Sequence, residues 1–282
     1  KPLTAYSLDI AGSLTGIMGF MMISALRTPA WIWFFVAGAA FLFGLVGKEG
    51  RIRRRVFWPL VAVVVLVFLP GSRRSSHLGP KDVFEMKWSP YQLVTFLEQP
   101  PSAAALFVNR ITHQTILGEK ELKGSFYVTP HLLRKKAGLP PYRRVLILGS
   151  GAGNDVVAAL ASGAEQVDAV EIDPVIAHIG KTKNRLQPYQ DPRVRLIVDD
   201  GRSVLTRSRA KYDLIIFALT DSLVKVSSMT ELRLENFLYT RESLDRAYRL
   251  LSPDGDLVLY NSYRQAWLGE RIAYEMSSVS GR

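Results

Sequence analysis

RRVLILGSGAGNDVVAALASGAEQVDAVEIDP, residues 143–174, is the stretch that decides the fold. Val145 to Leu148 form a short apolar run that empties into Gly149-Ser150-Gly151-Ala152-Gly153. A helical pattern follows, and then a second apolar run that ends in the acid Glu171. Strand, glycine-rich turn, helix and strand in this order are the layout of a nucleoside-binding α/β half-fold. Glycines let the backbone turn tightly and come close to a ligand, and the helix start offers free N–H donors. Glu171 stands 22 residues beyond Gly149, about where such folds place the carboxylate that holds ribose hydroxyls. The plainer alternative is a tight turn in a parallel sheet.

The alternation continues downstream. Strands are predicted at 143–149, 167–171, 194–198, 212–217 and 257–261, with helices at 154–162, 174–184, 202–207, 240–251 and 264–278. This order predicts an α/β, doubly wound (Rossmann-like) parallel sheet over residues 131–282. Ligands on such sheets bind at the carboxyl ends of the strands. Those ends are Gly149–Gly153, Glu171–Asp173, Asp199–Gly201 and Leu219–Asp221, and three of them carry acids. An acid at a strand end is ordinarily a solvated loop charge, but three on one rim point to a site. A closing antiparallel strand pair is not legible, so the domain is expected to be truncated at its C-terminus. Upstream, residues 83–130 read as a small β-rich module. Tyr91–Leu97 and Ala105–Thr112 carry β-branched and aromatic residues, broken by Gln99-Pro100-Pro101 and by Leu117-Gly118-Glu119.

Residues 1–70 have a different character. Tyr6–Ala25 is a mostly apolar run of about 20 residues, long enough to span a bilayer. Gly12, Gly16 and Gly19 make a small-residue stripe along it. Ala30–Gly47 is a second span, with Trp31 and Trp33 as interfacial anchors. Val56–Leu69 is a third apolar run, short for a full crossing. Asp9 lies near the start of the first run, where it reads as an interfacial residue rather than an ion site. Lys48, Arg51, Arg53, Arg54 and Arg55 form a basic loop that belongs on the cytoplasmic side. If the third run crosses fully, the large domain lies outside; if it only dips, the domain is cytoplasmic. A polar linker occupies 71–82. The expected location is an integral membrane one, in a bacterial inner or plasma membrane, with the side of the soluble domain left open.

Composition narrows the chemistry. The 282 residues include no cysteine, which excludes disulfides and thiolate metal sites. Four scattered histidines have no ligand spacing, so no metal is expected. The net charge is +11, of which +5 falls in residues 1–70. That placement suits anionic lipid headgroups, and nucleic acid is not an expected partner. The chain has no initiator Met and ends in a polar tail, so it is expected to be a piece of something longer.

From about Ser89 to Ser278 the chain resembles the spermidine synthase (polyamine aminopropyltransferase) family, in particular its membrane-fused members. The resemblance rests on SPYQ at 89–92, His113-Gln114, Ser125-Phe126-Tyr127, VLILGSGAG at 145–153, VEIDP at 170–174, DPRVRLIVDDGR at 191–202, YDLIIFALTDS at 212–222 and ENFLYTRESL at 235–244. Class I methyltransferases that use S-adenosylmethionine share the same core. The resemblance implies that Gly149, Ser150, Gly151 and Gly153 wrap the aminopropyl or aminoacyl end of an adenosyl-sulfonium ligand. It gives Glu171 the ribose hydroxyls, and Asp200, followed by Gly201, the adenine amino group. Gln114, Tyr127 and Asp221 would line the acceptor pocket. The implied cofactor is S-adenosylmethionine or its decarboxylated form, and the implied acceptor is a small amine.

Departures from the family pattern cut against ordinary aminopropyl transfer. The family's glycine loop reads G-G-G-D-G, and Ala152 stands in place of that Asp. The family's fourth strand ends D-x-x-D-P, its first Asp deprotonating the attacking amine. Here the segment is Ala218-Leu219-Thr220-Asp221-Ser222, so Ala218 occupies the base position and Asp221 is a weak substitute. Tyr127-Val128-Thr129 replaces the family's Tyr-His-Glu. Two expectations follow. One is a membrane-anchored transferase moving an aminopropyl or a methyl group. The other is a catalytically degenerate accessory or structural subunit of a membrane complex. Working alone, as a homodimer through the β-rich module or inside a larger assembly is left open for both.

Overall fold

The structure, a computed structural model, describes residues 2–26, 30–45, 83–99, 103–218, 238–260 and 266–281. The third apolar run Val56–Leu69, the basic loop 48–55, the linker 71–82 and Asp221 lie outside the described residues. The chain divides into two compact units. One takes Lys1–Asp82 with Met86–Leu93, and the other takes Val83–Glu85 with Val94–Arg282.

In the first unit, α1 (Pro2–Ala25) and α2 (Ala30–Leu45) contain almost nothing but apolar and small residues. Leu3–Ile23 has a mean hydropathy of 1.3 and is, among the described residues, the one helix long and apolar enough to cross a membrane. Leu8, Leu14, Ile17 and Met18 of α1 are all exposed. Two of its hydroxyls bond back to the helix: Ser7 Oγ donates to the Leu3 carbonyl and Thr15 Oγ1 to that of Ala11. A Cβ at Gly12, Gly16 or Gly19 would meet nothing, so the small-residue stripe faces open space. α2 has 16 residues, which at 1.5 Å each gives about 24 Å, short of the roughly 30 Å of a bilayer core. Phe20 of α1 meets Trp33 of α2 edge-on at 5.3 Å.

Beyond residue 82 the chain opens with a four-stranded sheet, in the order β1 (Val83–Trp88), β2 (Leu93–Gln99), β3 (Ala103–Val108), β4 (Ile111–Ile116). β3 pairs antiparallel with β2 on one side and with β4 on the other. The β3–β4 turn puts Asn109 and Arg110 at positive φ, as a two-residue hairpin loop requires. The predicted single strand at 105–112 is thus two strands folded back at Asn109, because the β-branched run crosses the turn. Short α3 (Glu119–Lys123), a 3-10 turn (Phe126–Val128) and α4 (Thr129–Lys136) lead into the main sheet.

That sheet has the order β7-β6-β5-β8-β9, built from β5 (Arg144–Leu148), β6 (Gln166–Glu171), β7 (Val194–Val198), β8 (Tyr212–Phe217) and β9 (Leu251–Leu259). Every pairing is parallel. Val145, Leu146, Ile147 and Leu148 are wholly buried, because helices cover both faces of a parallel sheet. The covering helices are α5 (Asn154–Ala161), α6 (Pro174–Lys183), α7 (Gly201–Arg207), α8 (Arg241–Arg249) and α9 (Ala266–Ser280). The strand order reverses between β5 and β8, so the crevice for a ligand opens beyond the ends of those two strands.

β9 begins six residues before the predicted 257. Ser252-Pro253-Asp254-Gly255 looks like a turn between helix and strand, yet it is a bulge within β9, where the pairing skips from Tyr212↔Leu251 to Leu214↔Asp256. Arg134 pins the bulge through the Asp254 carbonyl at 2.7 Å and the Asp256 carboxylate at 3.0 Å.

Asp168 of β6 ties the sheet together internally. It is fully buried, takes two bonds from the Arg195 guanidinium at 2.8 and 2.9 Å, and accepts the Tyr212 hydroxyl at 2.7 Å. Asp168→Ala strands a buried hydroxyl and is expected to cost about 3 kcal/mol, read as a lower urea midpoint at unchanged slope.

Candidate active site

The glycine loop leaves β5 at Gly149, where left-handed backbone is needed. Gly149, Gly151 and Gly153 have φ of 83°, 56° and 99°. A side chain is strained there, which is why glycine alternates with other residues. The loop backs onto the next strand: Gly149 N and Ser150 N both donate to the Val170 carbonyl at 2.9 Å.

Glu171 closes the loop from below. Its Oε2 accepts Gly151 N at 2.8 Å and its Oε1 accepts Asp173 N at 2.9 Å. It is buried, and desolvation pushes its carboxyl up to about 7 against those two bonds. Asp173 in turn caps α6, accepting Val175 N at 2.9 Å. Asp200 caps α7, accepting Ser203 N at 2.8 Å. Asp199 pairs with Arg207, whose guanidinium holds its carboxyl below the usual range. Of the predicted rim acids, then, Asp173 and Asp200 each use one oxygen as a helix cap, and Asp199 is spent on an ion pair. Gly201 would bring a Cβ to 3.3 Å from Leu238 and lies against Leu148.

Other groups hold the loop from outside, and of these Tyr189, Asn184 and Asn154 were not predicted from the sequence. The Tyr189 hydroxyl donates to the Gly151 carbonyl at 2.7 Å and is hydrogen-bonded to Ser150 Oγ at 2.8 Å. Asn184 Nδ2 donates to the Ala152 carbonyl at 2.8 Å. A Cβ at Gly180 would sit 2.5 Å from the Tyr189 ring, so that glycine makes room for the tyrosine. From the other side, Gln114 Oε1 of β4 accepts Ala152 N at 2.8 Å. Asn154 fastens β4 as well, donating to the Thr115 carbonyl and accepting Leu117 N.

Gln114 and Tyr127, predicted together, do come together. Tyr127 is buried, which raises its hydroxyl above its ordinary range, and Asn154 and Gln114 both hydrogen-bond it. Asp221, the third predicted member, lies outside the described residues. Asp155, two residues past the last loop glycine, enters this group unannounced and bonds to the Tyr260 hydroxyl. Its position just after a glycine loop was the available signal; Tyr189 and Tyr260 offered none.

Both alanines that mark the departures are buried. Ala152 is fully buried in an apolar cluster with Val94, Phe96, Leu106 and Ile176. Ala218 is 2% exposed in a second cluster with Val145, Leu214 and Ile216. Its N–H donates to the Leu148 carbonyl at 3.0 Å, so it sits on the crevice between β5 and β8.

Comparison with known proteins agrees with this architecture. The "Spermine/spermidine synthase domain" family matches residues 134–279, just over half of the chain. A polyamine aminopropyltransferase of Saccharolobus islandicus is 30% identical over 187 residues, covering 64% of this chain and 58% of the relative. One of Korarchaeum cryptofilum is 29% identical over 174 residues, covering 61% of this chain and 50% of the relative. The chain therefore spans little more than half the length of these relatives. Among solved structures, a spermidine synthase in complex with the transition state analogue AdoDATO superposes with a TM-score of 0.52 at 20% identity, over 73% of each chain. Spermidine synthase from Thermotoga maritima does so at 0.51 and 22%, over 73% of this chain and 72% of its own.

Proposed function

The chain belongs to the spermine/spermidine synthase domain family, and from that premise we propose a membrane-anchored transferase that binds an adenosyl-sulfonium donor and passes its aminopropyl or methyl group to an amine. The observation that carries the proposal is the Glu171 carboxylate between Gly151 N and Asp173 N at the carboxyl end of β6. An ionised carboxylate offers about four lone-pair sites. Backbone N–H groups of Gly151 and Asp173, with that of Ile172 acting on it as well, take part of that capacity, and the remainder would accept from the ribose hydroxyls. Gly149, Ser150, Gly151 and Gly153 would pass the donor's chain along the loop, and the free oxygen of Asp200 would meet the adenine amino group. The sulfonium supplies an electrophilic carbon when bound. The protein's part is to hold that carbon and the amine in line, which for methyl transfer is most of the catalysis. α1 supplies the anchor.

Titration with S-adenosylmethionine, its decarboxylated form and methylthioadenosine tests this, and the preferred ligand separates methyl from aminopropyl chemistry. Micromolar affinity is expected for one of them. Because Glu171 ionises near 7, affinity should rise between pH 6 and pH 8 by up to about tenfold, as the carboxylate that accepts the hydroxyls becomes fully charged. No binding by folded protein overturns the reading.

The apolar burial of Ala152 and Ala218 favours a second reading, a nucleoside-binding accessory subunit that transfers nothing. Ligand binding without turnover on a panel of amines would select it.

A further inference from the structure

Among the described residues, Asp155 is a buried carboxylate without a cationic partner. It is 2% exposed, stands in the first turn of α5, and no lysine or arginine among the described residues acts on it. Buried carboxylates are ordinarily paired, because an isolated charge is costly away from water. The groups that face Asp155 are tyrosines: Tyr127 from the 3-10 turn, Tyr260 from the end of β9, and Tyr189 below the loop. None can supply a positive charge.

Two of these tyrosines, Tyr127 and Tyr260, pack with Phe126 in one aromatic group. Phe126 and Tyr127 lie 4.2 Å apart, Phe126 and Tyr260 5.4 Å apart at 71°, and Tyr127 and Tyr260 6.4 Å apart at 83°. Phe126 is 48% exposed. Faces of aromatic rings attract organic cations. Through Tyr127, Asn154 and Gln114 the cage adjoins the glycine loop.

We propose that Asp155, walled by Phe126, Tyr127 and Tyr260, is the ammonium-binding carboxylate of the acceptor pocket, taking the place of the acids absent at Ala152 and Ala218. This rests on the transferase reading above for its role, but cation binding is measurable by itself. The ammonium takes the place that the Tyr260 hydroxyl holds on the carboxylate. Burial pushes the Asp155 carboxyl up to about 8, so an incoming ammonium displaces a proton at neutral pH.

The test is calorimetric titration of the whole chain in detergent with 1,4-diaminobutane at pH 7, in two buffers of different ionisation enthalpy. Methylthioadenosine is titrated in parallel. The expected result is diamine binding with release of up to about one proton per site. Asp155→Asn should weaken diamine binding at least about tenfold and abolish the buffer dependence, while thioadenosine binding persists. Phe126→Ala, at a half-exposed position that does not threaten folding, should weaken diamine binding about three- to tenfold. Diamine binding that is absent, or unchanged in Asp155→Asn or in Phe126→Ala, overturns the assignment, and retained thioadenosine binding then leaves the donor reading standing. Loss of diamine binding in both variants, in a chain that never binds thioadenosine, keeps the cation site and removes the donor reading instead.

Discussion

Glu171→Ala is expected to abolish binding of methylthioadenosine and to lower the stability of the soluble domain by about 2–4 kcal/mol. The two effects have one source. The carboxylate accepts the backbone N–H groups of Gly151 and Asp173, and alanine leaves both buried donors unsatisfied, at about 1–3 kcal/mol each. The loop then loses its inner support as well as its ribose partner. The pH dependence of stability should change too. Glu171 has a folded pKa near 7, above its ordinary 4.5, so its contribution is complete below 4.5 and is lost as pH rises through 7. The alanine variant lacks that loss, and the stability difference between the two proteins should narrow from pH 5 to pH 8. Urea denaturation at both pH values checks the stability effect, and calorimetry checks the binding. Unchanged affinity in a folded variant would remove the ribose assignment.

Ala218→Asp is expected to destabilise the domain by about 2–5 kcal/mol and to leave aminopropyl transfer unimproved. The substitution places an acid where the family resemblance expects one, in a position that is apolar here. Ala218 is 2% exposed among Val145, Leu214 and Ile216, and its own N–H is already used by Leu148. A carboxylate there loses its hydration among apolar neighbours. Ala152→Asp should behave alike, since Ala152 is packed against Val94, Phe96 and Ile176. Thermal unfolding and a transfer assay with decarboxylated S-adenosylmethionine and a diamine measure both outcomes. Turnover raised by Ala218→Asp in a stable protein would show that the crevice still accommodates the acid.

The parallel core was readable because its signals are local. Val145–Leu148 is a strand by its apolar run, the glycines mark the turn, and Asp173-Pro174 announces a helix start. Each lies within a few residues of the feature it specifies. The boundary of β9 was not readable, because the bulge at Ser252–Gly255 is set by Arg134, more than a hundred positions away. The site divides in the same way. Glu171 and the glycines follow from spacing, and Gln114 and Tyr127 follow from the family resemblance. The clamp by Tyr189 and Asn184 depends on a chain reversal after α6 that leaves no local pattern, and the Asp155 cage depends on β9 bringing Tyr260 to α5.

The bond from Gln114 to Ala152 N has a practical side. One wall of the donor loop is furnished by a hairpin that ends before the doubly wound domain starts. Cutting the chain at the visible start of that domain, near residue 131, would give a molecule with the right sheet and a misshapen loop. A water-soluble version meant for ligand work has to begin upstream of β2, so that residues 94–116 travel with the domain they shape.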